Sequence, residues 1–183
     1  GKVLEYSTEK SEFLSSAQQR ISEEQKSILY PLFSNIYLNS ATGFIGINAS
    51  GKTSVLRVIL LALEIINNEP INHIETRDIL GDAKEAKLNM YFFFEKTNEI
   101  CRLETIITSQ KSKSEGINYN IVSESLWTKG VDEVITRKAM LDFERREPIM
   151  VRSSQEDFLP DDVSIMIARN KKMKEHMRIV NLL

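Results

Sequence analysis

The sequence contains almost no cysteine. Cys101 is the single cysteine among 183 residues, which excludes an internal disulfide framework. No signal-peptide pattern stands at the N-terminus, so we expect a reducing, cytoplasmic location. Cys101 itself lies in the strand-like run EICRLETII, where we expect a small side chain of the core.

Long hydrophobic runs are also absent. The longest, VLRVILLALEII, is interrupted by Arg57 and Glu64 and is too short to cross a bilayer, so we expect no membrane partner. Hydrophobic residues make up 42% and charged residues 27% of the chain. These fractions are typical of an ordinary globular domain.

Neither sign of charge is in large excess. A net charge of -2 gives no field that would attract nucleic acid, although the basic run ARNKKMKEHMR leaves nucleic acid open as a partner. The two histidines, His73 and His176, have no cysteine or carboxylate at metal-ligand spacing. They therefore indicate no metal site.

Glycine is scarce, but two of the seven glycines define a motif. Gly46, Gly51, Lys52 and Thr53 match the phosphate-loop pattern G-x-x-x-x-G-K-[ST], with a strand-like run before it and a helical run after it. Glycine permits the close backbone approach by which successive N–H groups converge on phosphate oxygens. The sequence therefore predicts a nucleotide site formed by Gly46, Asn48, Ala49, Ser50, Gly51, Lys52, Thr53 and Ser54.

Within this site, two side chains carry the expected chemistry. The ammonium group of Lys52 can reach the β- and γ-phosphates, so we expect it to be catalytic as well as binding. The hydroxyl of Thr53 can ligate Mg²⁺, which makes it the candidate metal ligand. The positive end of the following helix dipole faces the same anion.

The rest of the pattern predicts an α/β chain with an antiparallel strand region. Pro31 and Pro148 mark expected helix ends. Periodicity and turn residues predict a helix over 7–33, strands over 34–50, a helix over 51–69, a hairpin over 87–110, a third strand over 117–129, a short helix over 131–147 and a final helix over 163–183.

The segment GINASGKTS closely resembles the loop GxNxSGKT/S of ABC-type ATPase heads, and Asn48 and Ser50 carry the resemblance. That group includes SMC-like and DNA-repair ATPases and the OLD-like (overcoming lysogenization defect) and AAA-family ATPases of bacterial phage-defence and abortive-infection systems. The resemblance implies a P-loop NTPase lobe with an antiparallel β-subdomain. It also implies binding of ATP and Mg²⁺.

Two further segments are similar to the same group. Ile121, Glu124 and Leu126 in IVSESLW resemble its I-x-x-E-x-L stretch, and IMVRSSQEDFL resembles its Q-loop. The resemblance implies that Gln155 ligates Mg²⁺ and approaches the attacking water. In that family a glycine usually lies beside the glutamine, whereas Ser154 and Glu156 flank it here.

Three parts of an ABC-type head are not found in the sequence: the signature segment, the apolar strand ending in aspartate and glutamate, and the switch histidine. We therefore expect 1–183 to be a single, incomplete nucleotide-binding lobe whose C-terminal half is absent. Its expected parts are a strand, loop and helix over 32–70, an antiparallel region over 86–128 and a helical region with the Q-loop over 131–183.

The resemblance implies ATP hydrolysis between two heads of a homo-oligomer or head-to-head dimer, driving a conformational switch in an anti-phage complex with an effector subunit. DNA repair or chromosome maintenance is the alternative setting. A P-loop kinase is an alternative activity, with Arg145, Arg146 and Arg152 as its basic lid. A nucleotide sensor or scaffold that does not hydrolyse ATP is a third.

Overall fold

The computed structural model describes two antiparallel sheets and four α-helices within a mixed α/β chain. The described residues are 13–14, 16–17, 22–26, 29–34, 36–39, 51–73, 80, 83–95, 97–112, 116–152, 159–170 and 177–182. The elements are β1 (Phe13–Leu14), β2 (Ser16–Ala17), α1 (Glu23–Lys26), β3 (Leu29–Phe33), β4 (Ile36–Asn39), α2 (Lys52–Ile66), β5 (Glu85–Phe94), β6 (Glu99–Ser112), β7 (Gly116–Gly130), α3 (Arg137–Leu141), β8 (Met150–Val151), α4 (Met166–Asn170) and β9 (Met177–Leu182).

The larger sheet has six strands in the order β1-β9-β5-β6-β7-β8, and all of its pairings are antiparallel. The predicted hairpin and third strand are confirmed as β5, β6 and β7. Asn98 ends the turn between β5 and β6 in a left-handed conformation, with φ 51°, which asparagine tolerates better than most residues. A bulge at Val122 interrupts the register of β6 and β7.

Helix α2 packs on one face of this sheet. Successive side chains of a strand point to opposite faces, so alternate apolar residues of β5, β6 and β7 meet the helix. This core contains Leu61, Ala62, Ile65 and Ile66 of α2, Leu88, Met90, Phe92 and Phe94 of β5, Cys101, Leu103 and Ile107 of β6, and Tyr119, Ile121 and Leu126 of β7. Cys101 is therefore a core residue, as expected.

The opposite face of the sheet is covered by the smaller sheet, in the order β2-β4-β3, and by the region around α3. Strand β5 is consequently buried on both faces, because Tyr91 and Phe93 point into this second core. The second core contains Ile36, Leu38, Tyr91, Phe93, Ile100, Val134, Met140 and Phe143.

The predicted helix over 7–33 is wrong in most of its described residues. Only α1 is helical, whereas β1, β2 and β3 are strands. Pro31 lies within β3, an edge strand, where a missing backbone N–H can face away from the neighbouring strand. Pairing with β4 and β9 therefore overrides the helical spacing of the apolar residues.

The predicted final helix over 163–183 is helical at Met166–Asn170 but wrong over Met177–Leu182, the other described stretch in its C-terminal half. The run MRIVNL forms β9 and pairs with β5, with Phe93 opposite Arg178 and Phe94 opposite Met177. The β-branched pair Ile179 and Val180 favours this extended state. The short helix predicted over 131–147 is limited to α3, preceded by a 3-10 turn at Val131–Glu133.

Among the residues that the structure describes, none of the helices combines the length and the apolar character needed to span a bilayer.

Candidate functional site

The candidate site lies at the N-terminal end of α2. Gly51 precedes the helix with φ 84° and ψ 6°, a left-handed conformation in which a side chain would be strained. The first helical hydrogen bond follows at once, since Val55 N donates to Gly51 O at 3.0 Å. The second glycine of the motif therefore has the backbone conformation for which glycine is needed.

The first turn of α2 presents donors and no carboxylate. Acidic residues are absent from this turn, and Gly51 supplies no side-chain cap. The first N–H groups of a helix have no intrahelical partner, and the helix dipole gives this end partial positive charge. Lys52 is half-buried beside them, whereas Thr53 and Ser54 are exposed. This end of the helix can accept an anion.

Other predicted site residues lie outside the described residues. These are Gly46, Asn48, Ala49, Ser50 and Gln155, together with the strand expected immediately before Gly46. The structure thus brings together Gly51, Lys52, Thr53 and Ser54, which are consecutive in the chain.

The far end of α2 is fixed to the sheet. The helix ends at Ile66, with Asn67 as its C-cap, and a 3-10 turn at Ile71–His73 follows. Ile71 N donates to Asp162 O at 2.9 Å. Asn72 brackets one residue of β7: its Nδ2 donates to Tyr119 O at 2.9 Å, and its Oδ1 accepts from Tyr119 N at 2.8 Å. The helix is therefore anchored at its C-terminal end and exposed at its phosphate-loop end.

A buried polar cluster lies on the helix-covered face of β7, and we call it the Glu124 cluster. The carboxylate of Glu124 is fully buried. Its Oε1 accepts from Thr105 Oγ1 at 3.0 Å and from Ser164 Oγ at 2.8 Å. Its Oε2 accepts from Ile165 N at 2.8 Å and lies 3.3 Å from Arg152 Nη1. Burial raises the pKa of Glu124, and these hydrogen bonds and the charge of Arg152 oppose the rise.

Arg152 extends the cluster to the segment that follows β8. Its Nη1 donates to Val163 O and its Nη2 to Pro160 O, both at 2.8 Å, and its backbone N donates to Glu124 O at 2.8 Å. Arg152 thus connects β7 with residues 159–165. Sequence reasoning missed this role, although a glutamate at an inward-facing position of an apolar strand was a signal for a buried partner.

Two of the three arginines proposed as a kinase lid make contacts within the folded chain. Arg152 belongs to the Glu124 cluster, and Arg146 donates to Thr128 O and pairs with Glu133. Of the three, only Arg145 is exposed. The described contacts therefore disfavour a mobile basic lid built from this segment.

Lys129 and Trp127 also have structural partners. Lys129 Nζ donates to the carbonyls of Ala139 and Asp142 near the end of α3 and lies 4.0 Å from the centre of the Phe143 ring. Burial, followed by the charge of Arg146, lowers the pKa of Lys129 to about 8. Trp127 Nε1 donates to Arg146 O at 3.1 Å. Neither residue lies in the phosphate-loop helix.

The described residues contain no group of three or more histidine, cysteine, aspartate or glutamate side chains that could hold a metal ion. Thr53, an exposed residue in the first turn of α2, is the predicted metal ligand that lies within the described part of the chain. Comparison of the chain with protein-family models, with curated proteins and with solved structures finds no match in any of the three.

Proposed function

We propose that this chain is the nucleotide-binding lobe of an ABC-like P-loop ATPase and that it binds ATP with Mg²⁺ through residues 46–54. One observation carries the proposal: Gly51 is left-handed at the start of a fifteen-residue helix, within a sequence that matches the phosphate-loop pattern. The absence of acidic residues from the first turn supports it, because a carboxylate there would compete with phosphate.

Each residue has a role that follows from its chemistry. The amides at the start of α2 donate to phosphate oxygens, and Lys52 neutralises charge on the β- and γ-phosphates. The exposed Thr53 hydroxyl is a hard oxygen ligand of the kind that Mg²⁺ prefers, so the residues present fit the ion. When bound, Mg²⁺ would neutralise developing phosphate charge. Lys52 and the amides would stabilise the same charge during in-line attack by water.

The proposed reaction requires more than these residues. Gln155 would orient the attacking water, and a second head would supply its signature segment, in a homo-oligomer or head-to-head dimer of the complete protein. By resemblance, hydrolysis would drive a conformational switch in a phage-defence complex with an effector subunit. This setting rests on Asn48 and Ser50 of the loop.

Calorimetry with ATP and Mg²⁺ tests the binding proposal. We expect the wild-type chain to bind and Lys52→Ala to bind roughly tenfold to a hundredfold more weakly, since a charged hydrogen bond contributes about 1.5–3 kcal/mol. Lys84→Ala is the matched control, because Lys84 is exposed and lies outside the helix. No binding by the folded wild-type chain, or equal affinity in Lys52→Ala, would refute the proposal.

Turnover separates the alternatives in the complete protein. An ATPase releases phosphate, and a repair enzyme would do so faster with DNA. A phosphotransferase would instead label a nucleoside acceptor, and a sensor would bind ATP without consuming it. Labelled acceptor, with no phosphate released, would replace the ATPase proposal by the kinase.

A further inference from the structure

The core holds α2 by the C-terminal half of the helix. The buried residues of the helix are Leu61, Ala62, Ile65 and Ile66. In the first half, Val58 and Ile59 are partly buried against the same core. Lys52, at the phosphate-loop end, comes nine residues, or about 13 Å, before the first buried residue, Leu61. The placement of that end therefore depends on how the other end of the helix is held.

Residues 159–165, which we call the tether, connect the end of α2 to β7. Ile71 N, shortly after the helix, donates to Asp162 O at 2.9 Å. On the other side, Ile121 N of β7 donates to Asp161 O at 2.7 Å. Apolar packing is non-directional, whereas a hydrogen bond depends on both distance and angle. The tether can therefore set the tilt of α2 on the sheet, to which the apolar contacts are less sensitive.

Glu124 fixes the tether in place. Its carboxylate accepts from Ser164 Oγ and from Ile165 N, both at 2.8 Å. Its ion-pair partner, Arg152, donates to two carbonyls nearer the start of the tether, also at 2.8 Å. One buried carboxylate and its partner thus hold both ends of the segment to which α2 is bonded.

The bulge in β7 turns Glu124 toward the tether. Ile121 and Glu124 are three residues apart and still lie on the same face of the sheet, because Val122 is an extra residue opposite β6. With strict alternation, Glu124 would point to the opposite face. Bulges commonly re-aim a side chain beside a functional site, and burial of a carboxylate is costly. A bulge that buries one therefore indicates a role beyond packing.

We propose that Glu124 is a positioning residue for the phosphate-loop end of α2 and that it acts through the tether and Ile71. The inference rests on the proposed function, since the end that it positions is the one that would bind ATP. A tilt of about 5° around Leu61 would displace Lys52 by about 1 Å, given the rise of the helix. A displacement of that size misaligns the lysine and the helix amides with the phosphates.

Calorimetry with ATP and Mg²⁺ tests the proposal in two variants. Glu124→Gln keeps the shape of the side chain but replaces an acceptor oxygen by a donor nitrogen. Asn72→Ala frees the same end of α2 by removing both hydrogen bonds to Tyr119. Each should bind ATP about threefold to tenfold more weakly, since full loss of a charged hydrogen bond costs about tenfold to a hundredfold. The double variant should lose less than the product of the two, because both changes act on one connection.

Val134→Ala is the matched control, because Val134 is 3% exposed in the second core, on the other face of the sheet. It should lower the urea midpoint and leave the affinity for ATP unchanged, which separates positioning from a loss of stability. In the nucleotide-free chain, Glu124→Gln should speed hydrogen exchange at the Ile71 amide more than Val134→Ala does. Circular dichroism verifies folding, and Ser164→Ala replaces Glu124→Gln if that variant does not fold.

The outcomes distinguish this inference from the proposed function. Equal affinity in wild type and Glu124→Gln, or exchange at Ile71 no faster than in Val134→Ala, would overturn the positioning role and leave ATP binding intact. Losses that multiply in the double variant would overturn it as well, since Glu124 and Asn72 would then act separately. A folded wild-type chain that binds no ATP would refute the proposed function, and the positioning role with it.

Discussion

Removal of the buried carboxylate at Glu124 should destabilise the protein more than removal of an exposed ion pair. In Glu124→Ala, Arg152 loses its charged partner while its side chain stays 9% exposed. Breaking a buried ion pair by removing one partner costs about 3–5 kcal/mol. The hydroxyls of Thr105 and Ser164 and the amide of Ile165 lose an acceptor in the same change.

We expect a loss of about 3 kcal/mol at neutral pH, at the lower end of that range. Two features reduce the cost. Burial already disfavours the ionised carboxylate of Glu124, and Arg152 retains the carbonyls of Pro160 and Val163. The losses of the separate hydrogen bonds to Glu124 do not add to this free energy, because groups in one network share their partners.

Urea unfolding measures this loss, with the fluorescence of the single tryptophan, Trp127, as one probe and circular dichroism as a second. Lys87→Ala is the control, because Lys87 is 50% exposed in its 3.0 Å pair with Glu104. We expect the control to lose less than about 1 kcal/mol. A loss in Glu124→Ala no larger than in Lys87→Ala would refute the argument that this carboxylate is a buried anchor.

Three further predictions follow from the other polar contacts. The free energy of unfolding of the wild type should exceed that of Glu124→Gln by the largest amount below pH 4.5, the ordinary pKa of glutamate, and this excess should shrink as pH rises through the raised pKa of Glu124. A difference in urea midpoints that stays constant with pH would contradict this prediction. Between pH 8 and 10.5, Lys129 holds a proton in the unfolded chain that it has lost in the folded chain. The free energy of unfolding of the wild type should therefore rise with pH in this range, and that of Lys129→Met should rise less. Thermal scans at several pH values measure this difference. Asn72→Ala should lower the free energy of unfolding by about 1–3 kcal/mol and speed hydrogen exchange at the Tyr119 amide. Unchanged exchange would show that the two hydrogen bonds between Asn72 and Tyr119 contribute little.

The parts of the fold that sequence patterns predicted are local. The bounds of α2 follow from Gly51 and Asn67, and the turn of the β5–β6 hairpin follows from a polar stretch between two apolar runs. In each case the signal and the structure lie within a few residues of each other. Helical periodicity is reliable for α2 because one side of that helix meets a sheet.

The parts that were wrong or missed depend on distant residues. Strand β9 is extended because it pairs with β5, more than eighty residues earlier in the chain, and with β1 near the start. The donors of the Glu124 cluster come from Thr105 on β6 and from Ser164 and Ile165 after β8. Periodicity in a single window contains none of this information, so the sequence placed Glu124 only in the stretch that resembles I-x-x-E-x-L.

The position of β9 between β1 and β5 has a consequence for how the chain folds during synthesis. The strands β5, β6 and β7 are consecutive, so they can pair as soon as they leave the ribosome. Strand β9 is made some fifty residues after β7. Until then, the MYFFF run of β5 has an unpaired backbone edge, which is the kind of surface that recruits other chains into aggregates. A nascent chain of this protein is therefore most vulnerable before β9 emerges, and a chaperone that shields the edge of β5 would have to act in that interval.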